Sequence, residues 1–117
     1  MIIEQRTYSL KLGSAPLYFS TYEKLGLAVQ RRILGNLVGY YTTDMGELNL
    51  AVHQWAYENY AEREQRRAKL FADPEWLAYL GKSRELGLIH KQENCIFTPA
   101  PFFEPVLRAM LAAGAKV

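Results

Sequence analysis

The chain has 117 residues, half of them hydrophobic and 22% charged, with a formal net charge of +2. That length suits one domain, and so small a charge excludes a dedicated nucleic-acid surface, which needs uncompensated Lys and Arg. One cysteine, Cys95, and two histidines, His53 and His90, exclude an intrachain disulfide and any metal site of known ligand spacing. No run approaches the ~20 apolar residues of a membrane span, and Glu4 interrupts the apolar core that a signal peptide needs. These features predict a reduced, cytoplasmic protein with no membrane span, no metal and no cofactor.

Residues 2–11 alternate polar with β-branched and aromatic side chains, which predicts a strand. Ile3, Gln5, Thr7 and Ser9 then face one way; Glu4, Arg6, Tyr8 and Leu10 face the other. Gly13-Ser14 breaks the pattern, with Ser14 as the expected N-cap of a helix and Pro16 in its first turn. Tyr18, Tyr22, Leu25, Val29 and Ile33 make a helical stripe over 15–34. Gly26 interrupts it at a cost of about 1 kcal/mol relative to Ala, so packing must hold that helix.

Residues 37–43 and 49–57 read as two strands of a hairpin, joined by a turn containing Gly46. Asn59 opens a helix to about Phe71, with Glu62 at capping-box spacing. In that helix Arg63, Arg66 and Arg67 interleave with Glu62 and Glu64 and read as a solvated face. Asp73-Pro74-Glu75 starts another helix, ending near Gly87. Residues 88–98 form a last strand, in which Cys95 reads as a buried thiol and His90 as solvent-facing. The prolines after it predict an extended segment and then a short apolar helix over 105–113.

The predicted order is β-α-β-β-α-α-β plus a tail. It fits an α+β, ferredoxin-like βαββαβ domain over 1–99, with its second helix split in two and a four-stranded antiparallel sheet. The tail, with its short helix, spans 100–117. One sheet face takes the helices; the other needs a cover, either a second subunit packed sheet to sheet or the tail.

Five stretches in order carry a family resemblance: Glu4-x-Arg6-x-Tyr8; Leu37-Val38-Gly39-Tyr40-Tyr41 with Gly46-x-Leu48-Asn49; His53-x-Trp55-x-Tyr57 with Arg63 and Arg67; Asp73-Pro74-x-Trp76; and Asn94-x-Ile96-x-x-Pro99. Together, over about residues 2–99, the chain resembles the NIPSNAP family. Leu12-Gly13 stands where family members often carry Pro-Gly, and the segment from Pro101 onward lies outside the resemblance. The resemblance implies the dimeric α+β barrel superfamily, in which two ferredoxin-like sheets face each other around a cavity. Relatives of that architecture include cofactor-independent monooxygenases, isomerases and haem-using enzymes. Animal members of the family are associated with mitochondria and vesicle trafficking, mostly as binding proteins, and no reaction is agreed for the family.

Alternation also selects the candidate site. Glu4, Arg6 and Tyr8 share a face of the first strand, and His53, Trp55 and Tyr57 share a face of the third. These strands are central neighbours in a ferredoxin-like sheet, so coinciding faces would form one patch of six residues. The opposite set, including Ile3, Thr7, Val52 and Ala56, is smaller and more apolar and suits packing under helices. The patch is therefore expected to point away from the helices, into the cavity of a homodimer.

In such a cavity His53 can serve as general base, Arg6 as the holder of a carboxylate or enolate oxygen, and Glu4, Tyr8, Trp55 and Tyr57 as ligand contacts. A purely structural use is open for each. Glu4 can pair with Arg6, Arg63 or Arg67, and His53, Trp55 and Tyr57 can be interface residues. The reading is a homodimer binding a small hydrophobic or aromatic molecule, an aromatic acid first. The alternative is a cofactor-independent monooxygenase or isomerase acting through His53 on a small aromatic or carbonyl substrate.

Overall fold

The computed structural model describes residues 1–114; the end of the tail segment 100–117 lies outside the described residues. The chain runs β1 (Ile2–Leu10), α1 (Ala15–Leu25), α2 (Leu27–Leu34), β2 (Asn36–Thr42), β3 (Leu50–Tyr57), α3 (Tyr60–Ala72), α4 (Pro74–Leu86), β4 (Ile89–Phe97) and α5 (Glu104–Gly114). The four strands form one antiparallel sheet in the order β2-β3-β1-β4. This is the ferredoxin-like α+β arrangement with a divided second helix.

The element ends follow local chemistry. Asn59 accepts the Glu62 amide at 2.8 Å and caps α3, and Asp73 accepts the Glu75 and Trp76 amides at 2.9 and 3.3 Å and caps α4. Ser14 occupies the position before α1 but donates instead to the Lys11 carbonyl at 2.6 Å. The single helix expected over 15–34 is divided at Gly26. A Cβ there would meet the Tyr22 and Tyr79 rings at 3.0–3.1 Å, so a ring of α4 packs directly on this backbone. Asn49 does not extend β3: its φ of +63° places it in the turn, which a strand residue cannot share.

The helices cover the sheet face that carries Trp55 and Tyr57. These two join Tyr22, Val29, Leu34, Leu70, Trp76 and Tyr79 in the main core, and Leu10, Tyr18 and Ala51 form a second cluster under α1. The expected orientation is thus reversed. Glu4, Arg6, Tyr8, His53, Trp55 and Tyr57 lie on the helix side of the sheet, and the smaller Ile3 and Ala56 lie on the other. The physical reason is volume. The wide gap between a sheet and a helix layer is filled by large aromatic rings, and Ile3 and Ala56 cannot fill it.

The outer face is capped at one end by α5, whose Leu107 packs on Ile3 and Ala56 together with Met1, Val38 and Leu111. Arg108 fastens this helix through a bidentate pair with Glu58 at 2.6 and 2.9 Å. Within the tail, α5 is therefore a packed element. Beyond α5 the outer face is open, with Tyr41, Cys95 and Phe97 exposed, so Cys95 is not the buried thiol expected. Among the described residues no helix is long and apolar enough to cross a membrane.

Leu107 is 5% exposed, and Leu107→Ala should cost about 2–3 kcal/mol in urea unfolding. Hydrogen exchange should then show α5 losing protection before the sheet does.

Candidate functional site

The registers bring the six predicted residues onto one face. Glu4 lies opposite Trp55, Arg6 opposite His53, and Tyr8 opposite Ala51, while on the other side of β1 Glu4 faces Ile96 and Arg6 faces Asn94. From there they separate into two groups. Glu4, Trp55 and Tyr57 are sealed in the interior, whereas Arg6, Tyr8 and His53 form part of the wall of a cavity of about 660 Å³ between the sheet and the helices. That volume is typical of small-molecule sites.

Glu4 is fully buried and fully bonded. Arg63 grips it with Nε and Nη2, both at 3.0 Å, and Arg6 Nη1 and Asn94 Nδ2 each donate to Oε2 at 3.1 Å. Burial opposes its ionisation, but the bonds from Arg63 and Asn94 and the charges of Arg6 and Arg63 outweigh it. The carboxyl is held at about 2. Of the partners open in the sequence, the structure thus selects Arg6 and Arg63 together.

His53 is also buried, stacked on Tyr40 at 4.6 Å and edge-on to Tyr8 at 4.9 Å. Its Nδ1 accepts the Trp55 indole proton at 2.7 Å. An indole N–H can only donate, so the neutral imidazole carries its own proton on Nε2. Burial first, then the charge of Arg6, pushes the His53 pKa down to about 3 against the pull of Glu4. This arrangement engages Nδ1, favours the neutral imidazole and leaves its proton on Nε2.

The cavity has a strong bias of charge. Its wall includes Arg6, Arg67, Arg84 and Lys91 and no carboxylate. Arg67, expected on a solvated face, instead reaches inward, with its guanidinium 5.3 Å from the Phe71 ring. Arg6 is raised against burial by Tyr8 first and then by Glu4, and Arg63 by its bond to Glu4, but Arg67 is lowered, by burial first and then by Arg6. Among the described residues Arg67 has no acid partner. The sequence signal for it was present, because Arg63 and Arg67 are one turn apart and share a helix face. Arg66, by contrast, bonds the Ile33 carbonyl at 3.0 Å and pairs with Glu62.

Tyrosines complete the wall. Tyr18 and Tyr40 share a hydrogen bond at 2.7 Å, and Tyr22 donates to Gln30. Burial raises all three phenols, so they stay protonated. Tyr18 and Tyr22 had been legible only as core residues of a helical stripe. His90, read as solvent-facing, is exposed and sits with Lys91 and Arg84 at the α4–β4 side of the cavity. No group of three or more His, Cys, Asp or Glu suited to a metal occurs among the described residues.

The sequence profile of the NIPSNAP family matches residues 3–104. The chain belongs to the NIPSNAP family. It is 34% identical over 100 residues to the human protein NipSnap homolog 3A, a stretch covering 85% of this chain but 39% of that relative. This NIPSNAP chain therefore corresponds to less than half of that protein's length. The crystal structure of protein Atu4242 from Agrobacterium tumefaciens is 45% identical, with a TM-score of 0.83 over 87% of this chain and 96% of that one. A putative antibiotic biosynthesis monooxygenase from Nitrosomonas europaea shares the fold alone, at 9% identity and a TM-score of 0.61 over 85% of this chain and 98% of its own.

The buried pair of shifted groups gives the NIPSNAP domain a defined acid response. His53 sits below its ordinary 6.5 in the folded protein, so the unfolded chain takes up a proton first and stability falls as pH drops below about 6.5. Glu4 sits below its ordinary 4.5, and its contribution is present above that value and lost as pH falls towards about 2. At about 1.36 kcal/mol per pKa unit the Glu4 share is roughly 3 kcal/mol. Urea midpoints measured from pH 7 to pH 2 should fall in two overlapping stages. Glu4→Gln should start less stable and lack the lower stage.

Proposed function

We propose that this NIPSNAP domain binds a small planar organic anion, an aryl carboxylic acid being the first class to test, in the cavity between its sheet and its helices. The observation that carries the reading is Arg67, an unpaired guanidinium in a cavity whose charged side chains are all cationic. A cleft lined by one sign of charge concentrates ligands of the other sign. Arg6 stands beside it, with Nε committed to Tyr8 and Nη1 to Glu4, which leaves Nη2. The tyrosine rings, Trp76 and Leu80 supply flat apolar contact for the rest of the ligand.

A cofactor-independent monooxygenase or isomerase is the alternative for the same cavity. It needs a base, and His53, with Nδ1 engaged and its pKa at about 3, is poorly suited to that role. Binding is accordingly preferred to catalysis. We further propose that the open part of the outer sheet face, with Tyr41, Phe97 and Cys95 exposed, is covered by a second copy of the chain.

Titration calorimetry with 4-phenylbutanoate and its uncharged amide separates charge recognition from apolar uptake. The acid should bind about tenfold or more tightly than the amide, since a charge-assisted bond is worth about 1.5–3 kcal/mol. Arg67→Gln should remove most of that preference. Equal binding of acid and amide, or binding of neither, would overturn the reading. For the assembly, light scattering on the eluting protein should give the mass of two chains; a monomer at high micromolar concentration would exclude the dimer.

A further inference from the structure

The cations that line the cavity fall into two groups at different depths. Arg6 and Arg67, from β1 and α3, are half-buried. Arg84, His90 and Lys91 are exposed and reach the same cavity from the turn between α4 and β4. Gly87 makes that turn: its φ of +62° is left-handed, and as a glycine it adds no side chain to the opening. A Cβ there would stand 3.8 Å from Lys11 Nζ, so a further cation borders the mouth.

The two groups are well separated along both walls. Arg6 lies opposite Asn94 and Ser9 opposite Lys91, so Lys91 is three residues further along the paired strands, or about 10 Å. On the helix wall, Trp76, Leu80 and Arg84 line the cavity at four-residue intervals, on one face of α4. Trp76 is 6% exposed, whereas Arg84 is open to solvent. One continuous wall thus runs from the interior of the cavity to its mouth.

The mouth is short of acids. Lys91 is shared with Glu93 at 2.8 Å, but neither Glu93 nor any other carboxylate lines the cavity. Among the described residues Arg84 and Lys11 have no acid partner. The carbonyl end of α4 offsets about half a positive charge there. The cluster stays cationic.

We propose that Arg84, Lys91 and His90, with Lys11 at the edge, form a second anion site at the cavity mouth, and that the ligand is acidic at both ends. The proposal rests on the anion-binding reading of the cavity and narrows its ligand from an aryl acid to an elongated aryl diacid. One carboxylate lies against Arg67 and Arg6, the ring lies along the tyrosines and Leu80, and the second acidic group meets the mouth cations. A cavity of about 660 Å³ has room for such a ligand.

Calorimetry with 4-(4-carboxyphenyl)butanoate and 4-(4-carbamoylphenyl)butanoate tests the mouth alone, because the two differ only in the charge at the far end. At low salt the wild-type protein should bind the diacid about fivefold more tightly, the scale of exposed charge pairs, and high salt should shrink that ratio. Arg84→Gln should bring the ratio towards one. Lys69→Gln removes an exposed charge of α3 outside the cavity lining and should leave the ratio unchanged. Both side chains are exposed, so folding is not at stake. Equal wild-type affinity for the two ligands overturns the mouth site and leaves the inner anion site standing. A ratio unchanged in Arg84→Gln, or lowered as far by Lys69→Gln, overturns the assignment to the mouth cations. Binding of neither ligand overturns both readings.

Discussion

An ionised carboxylate sealed beneath a layer of helices is the constraint on which the rest of this molecule depends. Glu4 has no access to water, and an uncompensated charge there would be prohibitive. Four donor contacts from Arg63, Arg6 and Asn94 meet it. Those contacts come from α3, β1 and β4, so one side chain fixes the helix layer, the central strand and the edge strand in a single arrangement. The network has a second effect on Arg6: its Nη1 is tied to Glu4 and its Nε to Tyr8, so its remaining Nη2 is held in a fixed direction.

The same pairing sets what reaches the cavity. With Arg63 anchored on Glu4, Arg67 follows one helical turn later. A turn advances about 6 Å and two strand residues about 7 Å, so Arg67 comes level with Arg6. Two guanidiniums thus arrive at one wall, one occupied by Glu4 and the other unspent. The aromatic residues do the complementary task. Tyr18, Tyr22, Tyr40 and Tyr79 bridge from helices to sheet in stacked, tilted and edge-on contacts, and the space between them and β4 stays open as the cavity. Hydrophobic packing holds the wall, and its charged side chains are all cationic.

Three side chains of the candidate site have distinct physical roles. Trp55 and Tyr57 are core, with Trp55 also directing the proton of His53. His53 is held neutral because burial, helped by the charge of Arg6, outweighs the pull of Glu4. Of the two nearer charges that act on it, Arg6 opposes its protonated form and Glu4 favours it.

Much of this was written locally in the chain. Strand alternation put Glu4, Arg6 and Tyr8 together and His53, Trp55 and Tyr57 together, because side-chain direction along a strand is a two-residue repeat that needs no tertiary information. Asn59 and Asp73 announced their caps, since a cap bonds amides two or three residues away. The ordered motifs from Glu4 to Pro99 carried the family. What alternation cannot state is which side of the sheet the helices take. Here bulk prevailed over polarity: the aromatic face was buried under helices because only its rings fill that gap, and its charges were tolerated because Arg63 and Asn94 arrive from elements 59 and 90 residues away. The inward turn of Arg67, which follows from Arg63 on Glu4, and the packing of α5 on the outer face belong to the same class. Each is fixed by a partner distant in sequence, and only the folded chain brings that partner within reach.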